Sequence, residues 1–205
     1  MATLTSFAKY VRPYVPGCPE PILLDAIKDA CVEFCKRTLI FTRDIEIVTV
    51  IGQRAYAPSL AAEEAPEQIE MIERDTYALD DSSFHEFKGD ITLRSAGTPT
   101  KYYLDENGDI VLGPIPDAIE TLAATVAIKP AEDATTVPDA LLSHWSEYIA
   151  AGAKAALFGQ ENVEWGDPTK AASNGMAFDE GVNKALMKRA RGGTRKRLRT
   201  VSQWM

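Results

Sequence analysis

Residues 20–52 read EPILLDAIKDACVEFCKRTLIFTRDIEIVTVIG, and inside this one stretch the spacing of apolar residues changes from three-to-four to two. Leu23, Ile27, Ala30, Cys31, Phe34 and Cys35 fall on one side of a 3.6-residue period, while Asp25, Lys28, Asp29, Glu33 and Lys36 fall on the other, the pattern of an amphipathic helix over 20–38. Pro16, Gly17, Pro19 and Pro21 restrict the backbone before it. A proline in the first helical turn gives up no hydrogen bond the helix would have made, so the helix is expected to begin near Pro21. From Asp44, Ile45, Ile47, Thr49 and Ile51 alternate with Glu46, Val48 and Val50, and β-branched residues dominate. That predicts a strand ending near Gly52.

Working outward, the middle of the chain continues in β-like pieces. Residues 60–66 are polar, Ala-rich and Glu-rich and read as a loop; 69–79 and the shorter 91–94 are strand candidates. Residues 101–104 and 109–112 flank Asp105-Glu106-Asn107-Gly108, and Asn-Gly supplies the positive φ of a tight hairpin turn. Pro114 and Pro116 close that hairpin, and Leu122, Ala124, Val126 and Ile128 mark another strand over 121–129. The expectation is a mostly antiparallel sheet or small sandwich over about 44–130.

Helical spacing returns at Pro138. Leu141, Leu142, Trp145, Tyr148, Ile149, Gly152, Ala155 and Ala156 trace one face of a helix over 138–158. Its second half is small-sided, so Trp145, Ile149, Gly152 and Ala156 are the expected seat of a closely packed neighbouring helix. A last helix over 168–190 starts at Asp167-Pro168, a capping carboxylate before a proline at the first helical position. Met176, Val182, Ala185 and Leu186, with Phe178 nearby, are its expected apolar stripe. The fold class is therefore α+β: a helical bundle of residues 1–43 and 131–193, a β-rich insert of 44–130, and an arm of 194–205.

Charge is unevenly divided. Residues 184–205 hold eight Lys or Arg and no Asp or Glu, whereas residues 1–183 hold fourteen against thirty, so a body of −16 carries a segment of +8. Such a cluster of cations repels itself unless solvated or neutralised by an acidic partner, which can be nucleic acid or another protein. Gly192-Gly193 precedes the arm, in which Arg195, Lys196, Arg197 and Arg199 alternate with Leu198, Val201 and Trp204. Apolar anchors among the cations give it the character of a docking peptide.

Other chemistries lack their residues. Cys18, Cys31 and Cys35 with His85 and His144 do not form a four-ligand metal pattern, and Cys31 and Cys35 fit a buried helix face as small apolar groups. Asp105, Asn107 and Asp109 imitate the start of a calcium loop, but Ile110 and Pro116 stand where it needs Gly and Glu. There is no phosphate-binding glycine loop and no GxSxG elbow, and Glu63, Glu64, Asp80 and Asp81 read as solvated loop acids. No catalytic residue, cofactor site or metal site is expected, and a hydrolase reading has no residues to carry it. Apolar runs stop well short of the ~18 residues of a membrane span, and residues 1–14 lack a signal peptide's apolar core. An intracellular, unprocessed protein is expected.

The stretch Tyr10-Val11-Arg12-Pro13-Tyr14-Val15-Pro16-Gly17-Cys18-Pro19-Glu20-Pro21, running into Ala26, Ala30 and Glu33-Phe34-Cys35, resembles the start of head-to-tail adaptor proteins of tailed bacteriophages. Gly113-Pro114-Ile115-Pro116, Lys129-Pro130, Val137-Pro138-Asp139, the Ala-rich 150–157 and Trp165-Gly166-Asp167-Pro168 are similar to that family in the same order. The resemblance implies a virion protein, assembled in the host cytoplasm, that forms a ring, commonly of twelve copies, between the portal protein and downstream tail or nozzle proteins. It also implies a helical bundle with an inserted β domain, and a C-terminal segment that reaches onto the portal, here residues 195–205. An acidic ring wall would let DNA pass without specific binding, since like charge repels phosphate. The rival reading is a nucleic-acid-binding protein whose basic arm contacts phosphate.

Overall fold

In the computed structural model, which describes residues 1–75 and 77–191, the chain runs through strand β1 (Ala2–Thr3), helix α1 (Thr5–Val11) and the long helix α2 (Glu20–Thr38). Strands β2 (Thr42–Val48), β3 (Ala55–Tyr56), β4 (Glu64–Arg74), β5 (Tyr77–Ala78) and β6 (Asp80–Asp81) follow, then helix α3 (Phe84–Gly89). After them come β7 (Ala96–Gly97), β8 (Lys101–Leu104), β9 (Ile110–Gly113), β10 (Ile115–Pro116), β11 (Thr121–Pro130), β12 (Thr136–Val137) and helices α4 (Asp139–Phe158) and α5 (Pro168–Ala190). These elements divide into two compact units, residues 1–40 with the chain from 135 onward, and residues 41–134.

The first unit is helical. The periodic face read for α2 is the face it buries: Leu23, Ile27, Ala30, Cys31, Phe34 and Cys35 are all buried. Burial pushes the Cys31 thiol far up, and the neighbouring Cys35 adds to the effect; all three cysteines are free thiols. Phe34 is fully buried, with its ring 5.3 Å from Trp145 and 6.2 Å from Phe178, so one aromatic side chain ties α2 to both α4 and α5. Helix α1, which no periodic run announced because it is only two turns long, adds Phe7, Ala8 and Val11 to the core. β1 and β12 form an antiparallel pair that sets Ala2 opposite Val137.

α4 and α5 meet through two glycines. A Cβ on Gly152 of α4 would lie 2.6 Å from the Phe178 ring, and one on Gly181 of α5 would run into Tyr148. Each helix therefore inserts an aromatic ring where the other has no side chain, and the reversed order of the contacts makes the pair antiparallel. Trp145 and Ile149 are buried, Gly152 is half-buried, and Ala156 is exposed. The reason for the last is that burial on α4 follows the row Leu141, Trp145, Ile149, Ala153 and Leu157, which drifts around the helix by about 40° per step and leaves Ala156 outside. On α5 the buried residues are Phe178, Gly181, Val182 and Ala185. The expected stripe is corrected there: Met176 and Leu186 are exposed, and Gly181 supplies the contact that sequence hydrophobicity could not show.

The second unit is made of two four-stranded sheets in the orders β2-β11-β4-β5 and β3-β9-β8-β6, mostly antiparallel, with a short parallel β7–β10 pair. Their inner faces share a single core in which Ile45, Ile47, Ile69, Ile72, Leu122 and Val126 from one sheet meet Tyr56, Tyr102, Ile110 and Leu112 from the other. The Asn107-Gly108 hairpin forms as read, with Gly108 at φ 84° and Tyr102 opposite Leu112.

Several strand expectations shift for local reasons. Residues 91–94 form a 3-10 turn, because the Asp90 carboxylate accepts from the Thr92 amide at 2.9 Å and curls the chain. Part of the expected 60–66 loop is strand: β4 begins at Glu64, pairs with β11 as far as Pro130, and ends at Arg74, before Asp75, whose φ of 54° breaks the expected 69–79 run. Glu64 is accordingly a buried carboxylate, held by Arg43 Nη2 at 2.6 Å and Nε at 3.2 Å. The inward series of β2 ends at Thr49, whose hydroxyl donates to the Ala118 carbonyl at 2.9 Å, so Ile51 is exposed.

The glycine contacts predict opposite outcomes on one helix. A Cβ on Gly175 of α5 would have nothing within 4 Å, so Gly175→Ala is expected to stabilise by roughly 0.5–1 kcal/mol. Gly181→Ala is expected to cost roughly 1–3 kcal/mol through overpacking against Tyr148. Urea denaturation followed by tryptophan fluorescence reads both, because Trp145 and Trp165 belong to this unit and residues 41–134 contain no tryptophan.

Candidate functional site

The helix that leads into the basic arm is α5, and it is fixed at its start, middle and end. At its start the Asp167 carboxylate accepts from the Thr169 and Lys170 amides, both at 3.1 Å, with Pro168 at the first helical position. This is the cap and proline order that the sequence announced. The Lys170 amide bond, followed by the Lys170 side chain, holds the Asp167 carboxyl below its ordinary value.

In the middle, Arg37 of α2 pairs with Asp179 at 2.8 Å while its guanidinium lies 5.7 Å from the centre of the Phe178 ring. Both groups of the ion pair are well exposed, so it contributes little by itself. Its effect is to cover the ring that sits on Gly152.

At the end, Lys184 donates to Glu180 Oε1 and to Tyr148 Oη, each at 2.6 Å. The Glu180 bond, and then the Tyr148 bond, raise the Lys184 ammonium above its ordinary value. Lys188 lies 5.6 Å from the centre of the Trp145 ring. Cations in the last turn also complement the helix dipole. Thus the first two cations of the basic run are held against α4 by the aromatic residues Tyr148 and Trp145, and the chain leaves α5 after Arg191, its C-cap residue.

The expected docking residues Arg195, Lys196, Arg197, Leu198, Arg199, Val201 and Trp204 lie outside the described residues. Of the expected packing residues, Trp145 meets Phe34, Gly152 receives the Phe178 ring, Ile149 is buried between them in sequence on the same helix, and Ala156 is exposed. Sequence reading passed over Tyr148 as a polar anchor and over Arg37 and Asp179 as a pair. The i,i+4 spacing of Glu180 and Lys184 was the one local signal for this end of the helix.

Among the described residues, no group of three or more His, Cys, Asp or Glu is placed to hold a metal ion, and no helix is long and apolar enough to cross a membrane. What the site offers is a helix end at which two cations are held against α4. Residues 2–201 match the family model described as SU10 adaptor protein, and the chain belongs to that family. Membership makes it a structural phage adaptor protein, a virion component of the head–tail junction. No curated protein matches the chain significantly.

Asp167 gives a pH signature with a definite sign. Its folded value is depressed, so its stabilisation is present above the unfolded value of about 4 and is lost as pH falls through the lower folded value. In thermal melts followed by circular dichroism, Asp167→Asn should melt below the parent at neutral pH, and the gap should close in strong acid. Glu86 and Asp90, also held below their ordinary values, are common to both proteins and cancel in the difference.

Proposed function

We propose that the chain forms a ring, of twelve copies in the reading the family suggests, that joins the portal protein to downstream tail or nozzle proteins and continues the DNA channel. In this reading residues 1–43 and 131–193 are the ring-forming bundle, 44–130 is an insert, and residues 194–205 reach onto an acidic groove of the portal. The observation that carries it is the division of charge in a member of an adaptor family: +8 over residues 184–205 against −16 over the rest.

Physics supports each part. A channel wall drawn from an acidic body repels phosphate and keeps DNA from sticking. Cations in the arm steer it to an acidic surface, while Leu198, Val201 and Trp204 supply the apolar contact that gives such docking its specificity. A ring of arms binds in concert, since after one docks the others face the portal at high effective concentration. Aromatic contacts on Lys184 and Lys188 hold the last turns of α5 against α4.

Deleting residues 194–205 tests the reading. The truncated chain should fold as the parent does and fail to join isolated portal rings in native mass spectrometry, and normal joining would overturn the proposal. A gel shift with duplex DNA at physiological salt separates the rival: micromolar retention that disappears with the arm would assign the arm to nucleic acid.

A further inference from the structure

The 41–134 unit is strongly acidic, with nineteen Asp or Glu and seven Lys or Arg, yet its cations are not spread evenly. Arg43 pairs with Glu64, Arg74 with Glu120 and Lys129 with Glu67, while Lys101 lies on β8. Three others, Arg54, Lys88 and Arg94, line one recess of roughly 320 Å³ together with Phe84, Phe87 and Tyr103. Among the described residues none of the three is paired with a carboxylate.

The recess is built on firm supports. Helix α3 lays Phe87, buried to 1% exposure, over Gly113 of β9, and the Phe87 and Tyr103 rings meet edge-to-face at 4.8 Å. A side chain at position 113 would occupy the space of the Phe87 ring. The Leu112 amide donates to the Arg54 carbonyl at 3.0 Å, fixing that residue beside β9. From there the Arg54 guanidinium lies 4.5 Å from the centre of the Phe87 ring. Its Nε is buried without a hydrogen-bond partner, an unsatisfied donor of the kind that folded proteins rarely leave. Arg94 donates to the Lys88 carbonyl, which brings the second guanidinium to the same side, and Lys88 Nζ lies 5.7 Å from the centre of the Phe84 ring.

The nearby acids are already engaged. Glu86 accepts from the Ser83 amide at 3.0 Å and Asp90 from the Thr92 amide at 2.9 Å, so their oxygens close α3 and the following turn, and neither forms an ion pair with Arg54, Lys88 or Arg94. A planar guanidinium stacked on an aromatic ring keeps its donor edge for a planar anion, which a carboxylate matches.

We propose that this recess binds a single carboxylate side chain, with an adjoining apolar or aromatic residue, from a peptide segment of a partner protein. Two features favour that occupant over nucleic acid. The walls are aromatic and concave, and so suit a single side chain and its neighbour. A phosphate backbone would also carry many charges past a unit of net −12, where repulsion accumulates with each one. The proposal is independent of the arm and of ring formation.

The test uses the full chain and a short capped peptide, Phe-Glu-Phe, compared with Phe-Gln-Phe and with a short oligothymidylate, at low salt. NMR of the Arg54 Nε–H group reads the recess itself, apart from anything the basic arm binds. Addition of Phe-Glu-Phe should shift that signal saturably, and Phe-Gln-Phe should bind about tenfold more weakly, the loss expected for one charge-assisted contact. Arg54→Ala, followed through neighbouring amides, and Arg94→Gln should each weaken Phe-Glu-Phe binding by a similar factor, with circular dichroism unchanged. Equal binding of the Glu and Gln peptides, no shift at all, or variants that bind like the parent would overturn the proposal. A larger shift with oligothymidylate at equal concentration would also overturn it, in favour of a phosphate site.

Discussion

The reciprocal exchange of rings and glycines between α4 and α5 is the contact on which the helical unit depends. Phe178 occupies the space that a side chain at Gly152 would take, and Tyr148 does the same at Gly181. Because packed interiors leave almost no free volume, the two notches fix both the separation and the register of the helices. Phe34 then closes the arrangement from α2 by touching Trp145 and Phe178 together. Burial of Phe178 contributes roughly 1.5–3 kcal/mol, and the space its ring takes exists only because position 152 carries no Cβ.

The same contacts organise the electrostatics of α5. Tyr148 fills a notch with its ring and offers its hydroxyl to Lys184; Trp145 supports Phe34 on one side and faces Lys188 on the other. Packing and charge are thus joined through two residues, and the root of the basic segment inherits the rigidity of the core. In the β-rich unit the division is different. Three of its seven cations form ion pairs with carboxylates, as Arg43 does with the buried Glu64, and three others gather beside the aromatic rings of α3 and β8. In both units aromatic rings face cations: Tyr148 and Trp145 face Lys184 and Lys188, and Phe87 and Phe84 face Arg54 and Lys88.

Much of the fold was legible because it rests on local chemistry. The burial of Ile27, Phe34 and Cys35 follows from periodicity, the start of α5 from Asp167-Pro168, and the β8–β9 hairpin from Asn107-Gly108. The misses came where a distant partner decided. Glu64 looks like a loop acid until Arg43 is placed beside it, and residues 91–94 look like a strand until Asp90 caps the turn. Met176 and Leu186 look like core on hydrophobicity, but the buried side of α5 is chosen by Gly181, a residue with no hydrophobic signal. The recess could not be foreseen, because Arg54, Lys88 and Arg94 are separated in sequence and meet only when α3 folds over the β8–β9 hairpin.

Sequence alone determined the alternation of helical and β segments, the caps and turns, the segregation of charge toward the C-terminus and, through the order of its short motifs, the adaptor family. These are properties of neighbouring residues and of composition, and they persist in any conformation of the chain. Only the tertiary structure decided which glycines are notches, which carboxylates are buried and which cations stand without partners. Each of those depends on what another part of the chain brings within a few ångströms, a distance that spacing along the sequence does not encode.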